Sequence, residues 1–176
     1  MRKALLSIIF ASVAYAAFAQ PRSLGVRLGF TGLEADYQHS MSKNQFLQGN
    51  LGLDCGLLAD SKPGIKATAI YNFIWARPAW THLGTWAMYA GPGASIGYVY
   101  DSAYYKEGLE VRPYVAPGFM LGVCAQVGLE YTFWFPMQAS IDLRPTLGMH
   151  ADKDRAGLYD SGFLGFCPTL SLRYRF

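Results

Sequence analysis

Apolar and polar residues alternate one by one along residues 164–176, and this period of two constrains the fold more than any other feature. Successive side chains of a β-strand point to opposite faces, so the alternation predicts a strand with one apolar and one largely polar face. Seven earlier segments show the same pattern, which is weakest where Ala87 and Tyr89 fall on the polar side of the fifth. The eight predicted strands are residues 24–30, 33–38, 47–54, 65–75, 86–98, 119–133, 138–147 and 164–176.

The chain is 52% hydrophobic and 15% aromatic, yet after its amino-terminal segment it has no run of eighteen apolar residues that could form a membrane helix. Eight antiparallel strands instead predict an all-β, eight-stranded up-and-down barrel. A soluble barrel of this size has room inside only for packed side chains or one small ligand. Trp75, Trp86 and Phe133 give the apolar faces too much bulk for that interior. The pattern therefore favours a transmembrane barrel whose apolar faces meet lipid.

The opposite strand faces are rich in glycine and carry almost all the strand charges, so we expect them to line a packed polar lumen. Enclosed charges are costly unless they are paired, and here the two signs are balanced. These residues predict a lumen charge network, the alternative being that they are simply solvated strand faces. The predicted network consists of Arg27, Glu34, Asp36, Asp54, Lys66, Glu130, Asp142, Arg144, Arg173 and Arg175.

Aromatic residues gather near strand ends on one side of the predicted barrel, as in the girdle that outer-membrane barrels place at the lipid interface. They are Tyr71, Phe73, Trp75, Trp80, Phe133, Trp134, Phe135, Tyr174 and Phe176. The mostly shorter turns on this side, which also holds both termini, are residues 40–45, 76–83 and 134–136. The longer loops on the opposite side are residues 56–64, 99–113 and 148–161. Longer loops face the exterior in such barrels, so we expect the termini in the periplasm.

The amino terminus has the features of a secretory signal peptide. Arg2 and Lys3 precede an apolar stretch that is short for a membrane span, and small residues precede a cleavage site after Ala19. We expect removal of residues 1–19, an uncleaved anchor being the alternative, and a single barrel domain over residues 20–176. Without Arg2 and Lys3, 13 of the 15 basic residues remain against 12 acidic ones. This balance gives no reason to expect nucleic-acid binding.

The ending Leu170, Leu172, Tyr174 and Phe176 resembles the carboxyl-terminal signal that barrel-assembly machinery reads in outer-membrane proteins. The eight-strand plan further resembles the OmpA transmembrane domain and the OmpX group, in pattern rather than in residue identity. This resemblance implies a monomer in the outer membrane of a Gram-negative cell. Its expected partners are membrane lipid and, during biogenesis, the barrel-assembly machinery. We expect no periplasmic peptidoglycan-binding domain after Phe176, so the anchoring role of full-length OmpA is not carried over.

Eight strands enclose too little space for a wide diffusion pore, so we expect a non-enzymatic barrel without cofactors. Its role would be structural, or it would present extracellular loops to surface partners, and no catalytic, cofactor or metal residue is assigned. The loop residues available for such contacts are Asp101, Tyr104, Tyr105, Lys106, Glu107, Asp152, Lys153, Asp154 and Arg155.

Two alternatives stay open. The first is a lipid- or lipopolysaccharide-modifying acyl hydrolase or transferase, for which His150 is the candidate base and Ser161 and Asp160 its companions. The second is a carrier that admits a small apolar ligand sideways. Pro145 and Pro168 lie in neighbouring predicted strands and each removes a ladder donor, which would weaken the seam between them or simply mark bulges or early strand ends.

The three cysteines, Cys55, Cys124 and Cys167, form an odd set without metal-binding spacing. Cys124 and Cys167 share the inward parity, but a third strand separates theirs. Their backbones should therefore lie roughly 9 to 10 Å apart. This separation exceeds the reach of a disulfide, so we expect free thiols.

Overall fold

The computed structural model describes residues 21–55, 62–107, 110–153 and 156–176, with the side chains of residues 102–114 excepted. The predicted signal peptide, residues 1–19, lies outside the described residues. Ten strand segments are present: β1 (Arg22–Gly29), β2 (Gly32–Ser42), β3 (Gln45–Asp54), β4 (Gly64–Ala76), β5 (Thr85–Glu107), β6 (Glu110–Thr132), β7 (Met137–Leu143), β8 (Thr146–Ala151), β9 (Ala156–Leu158) and β10 (Thr169–Arg175).

All the neighbouring segments pair antiparallel, and the pairing of the first segment with the last closes the barrel. β1 pairs with β10, with Val26 opposite Leu172, and β5 pairs with β6 along its whole length. The carboxyl-terminal part of β6 pairs with β7, and the part nearer the outer loops pairs with β8. β7 and β8 together therefore make one barrel strand. The predicted closed eight-stranded antiparallel barrel is confirmed.

The seventh barrel strand is interrupted between Leu143 and Thr146, where the sequence predicted a continuous strand. The eighth differs more. Residues predicted to begin it at position 164 instead form a 3-10 helix, Asp160–Phe166, and β10 starts only after Pro168. Proline cannot donate to a sheet ladder, which explains both the break at Pro145 and the late start. Gly165 lets this helix approach the junction between β7 and β8, because a Cβ there would lie 1.8 Å from the Arg144 carbonyl oxygen.

The hairpin formed by β5 and β6 is much longer than predicted. Residues 99–113 are expected as a loop, but within them residues 99–107 and 110–113 continue both strands, which remain paired as far as Glu107 and Glu110. β4 accompanies β5 only to Tyr98, and β8 accompanies β6 only to Phe119. The remaining part, residues 99–107 and 110–118, is therefore a two-stranded ribbon about 30 Å long. Its base packs at the outer end of the barrel, where Val99 and Asp101 are buried, and the rest projects beyond it. Aromatic and valine residues in this stretch favour strand, although the polar residues among them suggested a loop.

The two faces of the barrel wall differ as the alternation predicts. Side chains of the apolar set, such as Leu51 and Val123, are exposed on the outside, by 58% and 64% respectively. The polar sets of the same strands are buried inside. The expectation of an apolar exterior and a polar interior is confirmed. Among the described residues, no helix is long and apolar enough to span a membrane.

Tyr89 explains why the fifth strand alternates poorly. It lies on the lumen side, is 1% exposed, and packs edge to face against Phe46 at 5.1 Å between ring centroids. Gly128 stands opposite Tyr89 in β6 and next to Asp142 in β7. A Cβ at Gly128 would lie 2.5 Å from the Tyr89 ring, so this glycine provides the space for the tyrosine.

Replacing Gly128 with alanine should therefore destabilise the barrel by about 1–3 kcal/mol, because overpacking forces neighbouring groups to move. Gly49→Ala is the matched control, since a Cβ at Gly49 meets no atom within 4 Å. Urea unfolding of the protein in detergent micelles measures both. Adding Tyr89→Leu to Gly128→Ala should recover part of the loss, and no recovery would contradict the packing explanation.

Candidate functional site

The barrel lumen brings together nine of the ten predicted network residues, all of them buried. The tenth, Arg175, was expected in the lumen but is exposed at the end of β10. Arg175 lies on the same face of β10 as Arg173, but the strand has reached the barrel rim at this point. Solvent, and not the opposite barrel wall, surrounds the side chain there. Arg175 therefore lies at the rim of the barrel and not in the lumen.

Glu34 is the centre of the larger group of charges. Its Oε2 atom accepts hydrogen bonds from Arg27 Nη1 at 3.1 Å and from Arg144 Nη1 at 3.2 Å. Its other oxygen lies 4.0 Å from Lys66 Nζ. Arg27 also pairs with Asp142 at 2.5 Å. One carboxylate on β2 therefore holds cations from β1, β4 and the β7–β8 junction, which ties together distant parts of the chain.

Arg173 organises a second group nearer the termini. Its Nη1 atom lies 2.5 Å from Asp36 Oδ2, and its Nη2 atom lies 2.8 Å from Glu130 Oε2 and 3.0 Å from Ser140 Oγ. The Arg173 side chain is 1% exposed. A buried guanidinium between two carboxylates has its charge compensated from two strands at once, which removes much of the cost of burying it.

Neutral side chains connect the two groups. Gln48 donates to Asp36 at 2.9 Å and accepts from Gln126 at 3.0 Å, and Gln126 in turn accepts from Arg144 at 3.2 Å. These glutamines are not among the predicted site residues, because the predicted network contains only charged residues. They share the parity of the charged residues, and this signal in the sequence identifies them.

The lumen also contains apolar side chains in addition to the charge network. Phe46 packs with Tyr89, and Val99, Met120 and Tyr159 form a buried cluster. A cavity of about 20 Å³ lies among groups that include Arg27, Lys66 and Arg144. This volume accommodates about one water molecule. The arrangement suits a packed polar core better than a site for a substrate or a path for solutes.

The segment that replaces the start of the eighth strand is fastened to the lumen. Tyr159 donates its hydroxyl to Asp54 Oδ2 at 2.7 Å, and the same oxygen accepts from Lys66 Nζ at 2.5 Å. Asp101 accepts hydrogen bonds from the Ser161 hydroxyl at 2.7 Å and from the Asp160 backbone N–H at 2.7 Å. These contacts hold the 3-10 helix over the outer end of the barrel.

The same contacts bear on the enzyme alternative. Ser161 is fully buried and directs its hydroxyl to Asp101, whereas Nε2 of His150 lies 3.3 Å from the Val99 carbonyl oxygen. A nucleophile and its base need to share a hydrogen bond. The partners of Ser161 and His150 therefore favour structural roles for both. Within the described ranges, no group of three or more His, Cys, Asp or Glu residues is arranged to hold a metal ion.

Other predicted features are placed as follows. Cys124 and Cys167 are free, the first buried and the second half-buried. The predicted assembly signal lies on the outer face of β10 and just after it: Leu170, Leu172, Tyr174 and Phe176, each about half exposed or more. The side chains of Tyr104, Tyr105, Lys106 and Glu107, and the residues Asp154 and Arg155, lie outside the described residues.

Comparison with known proteins gives one similarity of structure. The chain is similar to the N-terminal β-barrel domain of Pseudomonas aeruginosa OprF, with 11% sequence identity and a TM-score of 0.44, over 89% of this chain and 96% of that chain. No protein-family model and no curated protein matches the sequence.

Truncating Arg173 tests the second group of charges, the one nearer the termini. Arg173→Leu should cost about 3–5 kcal/mol of unfolding free energy, because it leaves Asp36 and Glu130 as buried, uncompensated carboxylates. Arg175→Leu, two residues further on and exposed, should change stability by no more than about 0.5 kcal/mol. Urea titration monitored by tryptophan fluorescence compares the two variants. Equal effects would show that the ion pairs of Arg173 do not govern stability.

Proposed function

We propose that this protein is an outer-membrane β-barrel with a non-enzymatic role, structural at the membrane and interactive at the cell surface. The observation that carries the proposal is the band of exposed apolar side chains around a closed barrel whose interior is filled with paired charges. An exposed apolar area of this extent is rare on soluble monomeric proteins, and lipid is the solvent that suits it. The filled lumen argues against transport through the barrel.

Aromatic contacts support a membrane position. Trp80, Trp86, Tyr131, Phe133 and Phe135 form a continuous series in which neighbouring ring centroids lie 4.6 to 5.4 Å apart. The series follows the rim at the termini. Aromatic rings of this kind favour the boundary between hydrocarbon and headgroups, so the series is suited to mark one interface.

The long β5–β6 hairpin supports the surface role. Placed with the termini in the periplasm, its projecting part extends away from the cell, well beyond the membrane. A two-stranded ribbon has unpaired backbone groups along both edges, and such edges pair readily with extended segments of other proteins. The hairpin is therefore the part of the molecule best suited to contact a surface partner.

A charge introduced at mid-height on the exterior tests the membrane position. Leu51→Arg should destabilise the protein in lipid vesicles by about 2–4 kcal/mol, whereas Leu83→Arg in the short turn near the interface should cost about 0–1 kcal/mol. Both leucines are exposed, by 58% and 67%. Urea unfolding from phosphatidylcholine vesicles gives the two values. A protein that stays soluble and monomeric without detergent, or equal effects of the two changes, would refute the membrane proposal.

Shortening the hairpin tests the surface role separately. Replacing residues 104–113 with Asn-Gly preserves the register, because Ala103 pairs with Tyr114. The variant should fold, shown by heat-modifiable gel migration, and restore detergent resistance to a deletion strain, but fail to restore cell-to-cell aggregation. If the shortened protein restores both properties, the hairpin has no interactive role. If neither the full-length nor the shortened protein affects the envelope, the structural role is wrong.

A further inference from the structure

The near-neutral charge of the mature chain hides an uneven distribution. The rim at the termini consists of residues 21–23, 39–46, 74–86, 131–138 and 174–176, all of which are described. These segments contain four basic residues and not one aspartate or glutamate. The four residues, here called the basic rim, are Arg22, Lys43, Arg77 and Arg175.

The rest of the molecule has the opposite bias. The lumen holds four basic and five acidic residues. Residues 55–64, 99–118 and 149–163, towards the long loops, contain five basic and seven acidic ones. Positive charge is therefore concentrated at one end of the barrel, and this end lacks the carboxylate side chains that compensate it elsewhere.

The contacts at the rim bring positive groups together. Arg77 follows β4 and donates a hydrogen bond from Nη2 to the Lys43 carbonyl oxygen in the turn between β2 and β3. Both residues are exposed, as is Arg175. The Arg77 guanidinium is thus held at the backbone from which the Lys43 side chain extends, so an anion bound there would interact with both positive charges.

Arg22 differs from the other three rim residues, because it exchanges backbone hydrogen bonds of 3.1 and 2.8 Å with Phe176. The inference therefore rests on Lys43, Arg77 and Arg175.

The position of these cations relative to the aromatic series indicates what they meet. Trp75 is 65% exposed on the outer face of β4, and Arg77 follows it by two residues. Trp80, 58% exposed, lies in the same turn. Because aromatic rings of this type lie at the edge of the hydrocarbon, the basic groups just beyond them are at the height of the lipid phosphates.

We propose that the basic rim binds the phosphate groups of anionic phospholipids in the leaflet that faces the periplasm. The proposal rests on the membrane position proposed above. It assigns to the rim a preference for phosphatidylglycerol or cardiolipin over a zwitterionic lipid. The lipid chains lie against the aromatic series, while one headgroup phosphate is held by Lys43 and Arg77 and another by Arg175, which lies four strands away from β4 in the barrel.

Lipid binding to the full mature protein tests this proposal. The protein is inserted into phosphatidylcholine vesicles, and the binding of phosphatidylglycerol is measured by competition and by native mass spectrometry. A cation near an anionic membrane surface contributes about a fivefold gain in binding. Lys43→Gln/Arg77→Gln/Arg175→Gln should therefore weaken phosphatidylglycerol binding about 10- to 100-fold, and raised salt should weaken the wild type in the same direction.

The matched control is Lys62→Gln/Lys106→Gln/Lys153→Gln, which removes three charges from the opposite end and should keep the wild-type lipid preference. Equal preference of the wild type for both lipids, or equal loss in the two triple variants, would overturn the proposal. Rim-dependent binding of inorganic phosphate or of peptidoglycan fragments without a preference for phosphatidylglycerol would overturn it as well. Failure to insert into phosphatidylcholine vesicles would instead refute the membrane position itself, so the two failures are distinguishable.

Discussion

The pairing of buried charge around Glu34 is the interaction on which the rest of the barrel depends. Two arginines from distant parts of the chain share one of its oxygens, and Lys66 lies near the other. Without these partners each charge would cost several kcal/mol to enclose. The pairs form only when β1, β2, β4 and the β7–β8 junction surround the same space. The network therefore makes correct closure of the barrel a condition for burying any of its members.

The packed side chains of the lumen leave little space inside the barrel for another molecule. Side chains of both polarities occupy the space that a channel or ligand site would need, with the Phe46–Tyr89 pair and the Val99–Met120–Tyr159 cluster beyond the charges. The contacts with other molecules proposed above therefore lie on the outside of the barrel. Three surfaces are available: the apolar band, the projecting hairpin, and the basic rim. Each has a different chemistry and suits a different kind of neighbour.

The interruption of the last barrel strand connects the lumen with the outer end. A continuous strand would satisfy its backbone through neighbouring strands, whereas the 3-10 helix relies on side chains. Tyr159 bonds to Asp54, which also binds Lys66, and Asp101 accepts from Ser161. The outer segment is therefore held by groups that belong to, or adjoin, the charge network. Its stability should follow that of the network more closely than the stability of an ordinary loop would.

The sequence by itself determined the barrel, its strand order and the direction of each face, because side chains of a strand alternate between two environments of opposite polarity. It also identified the buried charges Glu34, Arg27, Arg144 and Arg173. Only the tertiary structure decided which of them pair, since partners such as Arg27 and Asp142 are distant in sequence. The same is true of Tyr89, whose inward position requires Gly128 opposite it, and of the 3-10 helix, whose alternation resembles a strand until its packing against Arg144 is known. Arg175 shows most clearly what the alternation alone does not predict. It lies on the same strand face as Arg173, but the strand ends there, so Arg175 is at the rim and not in the lumen.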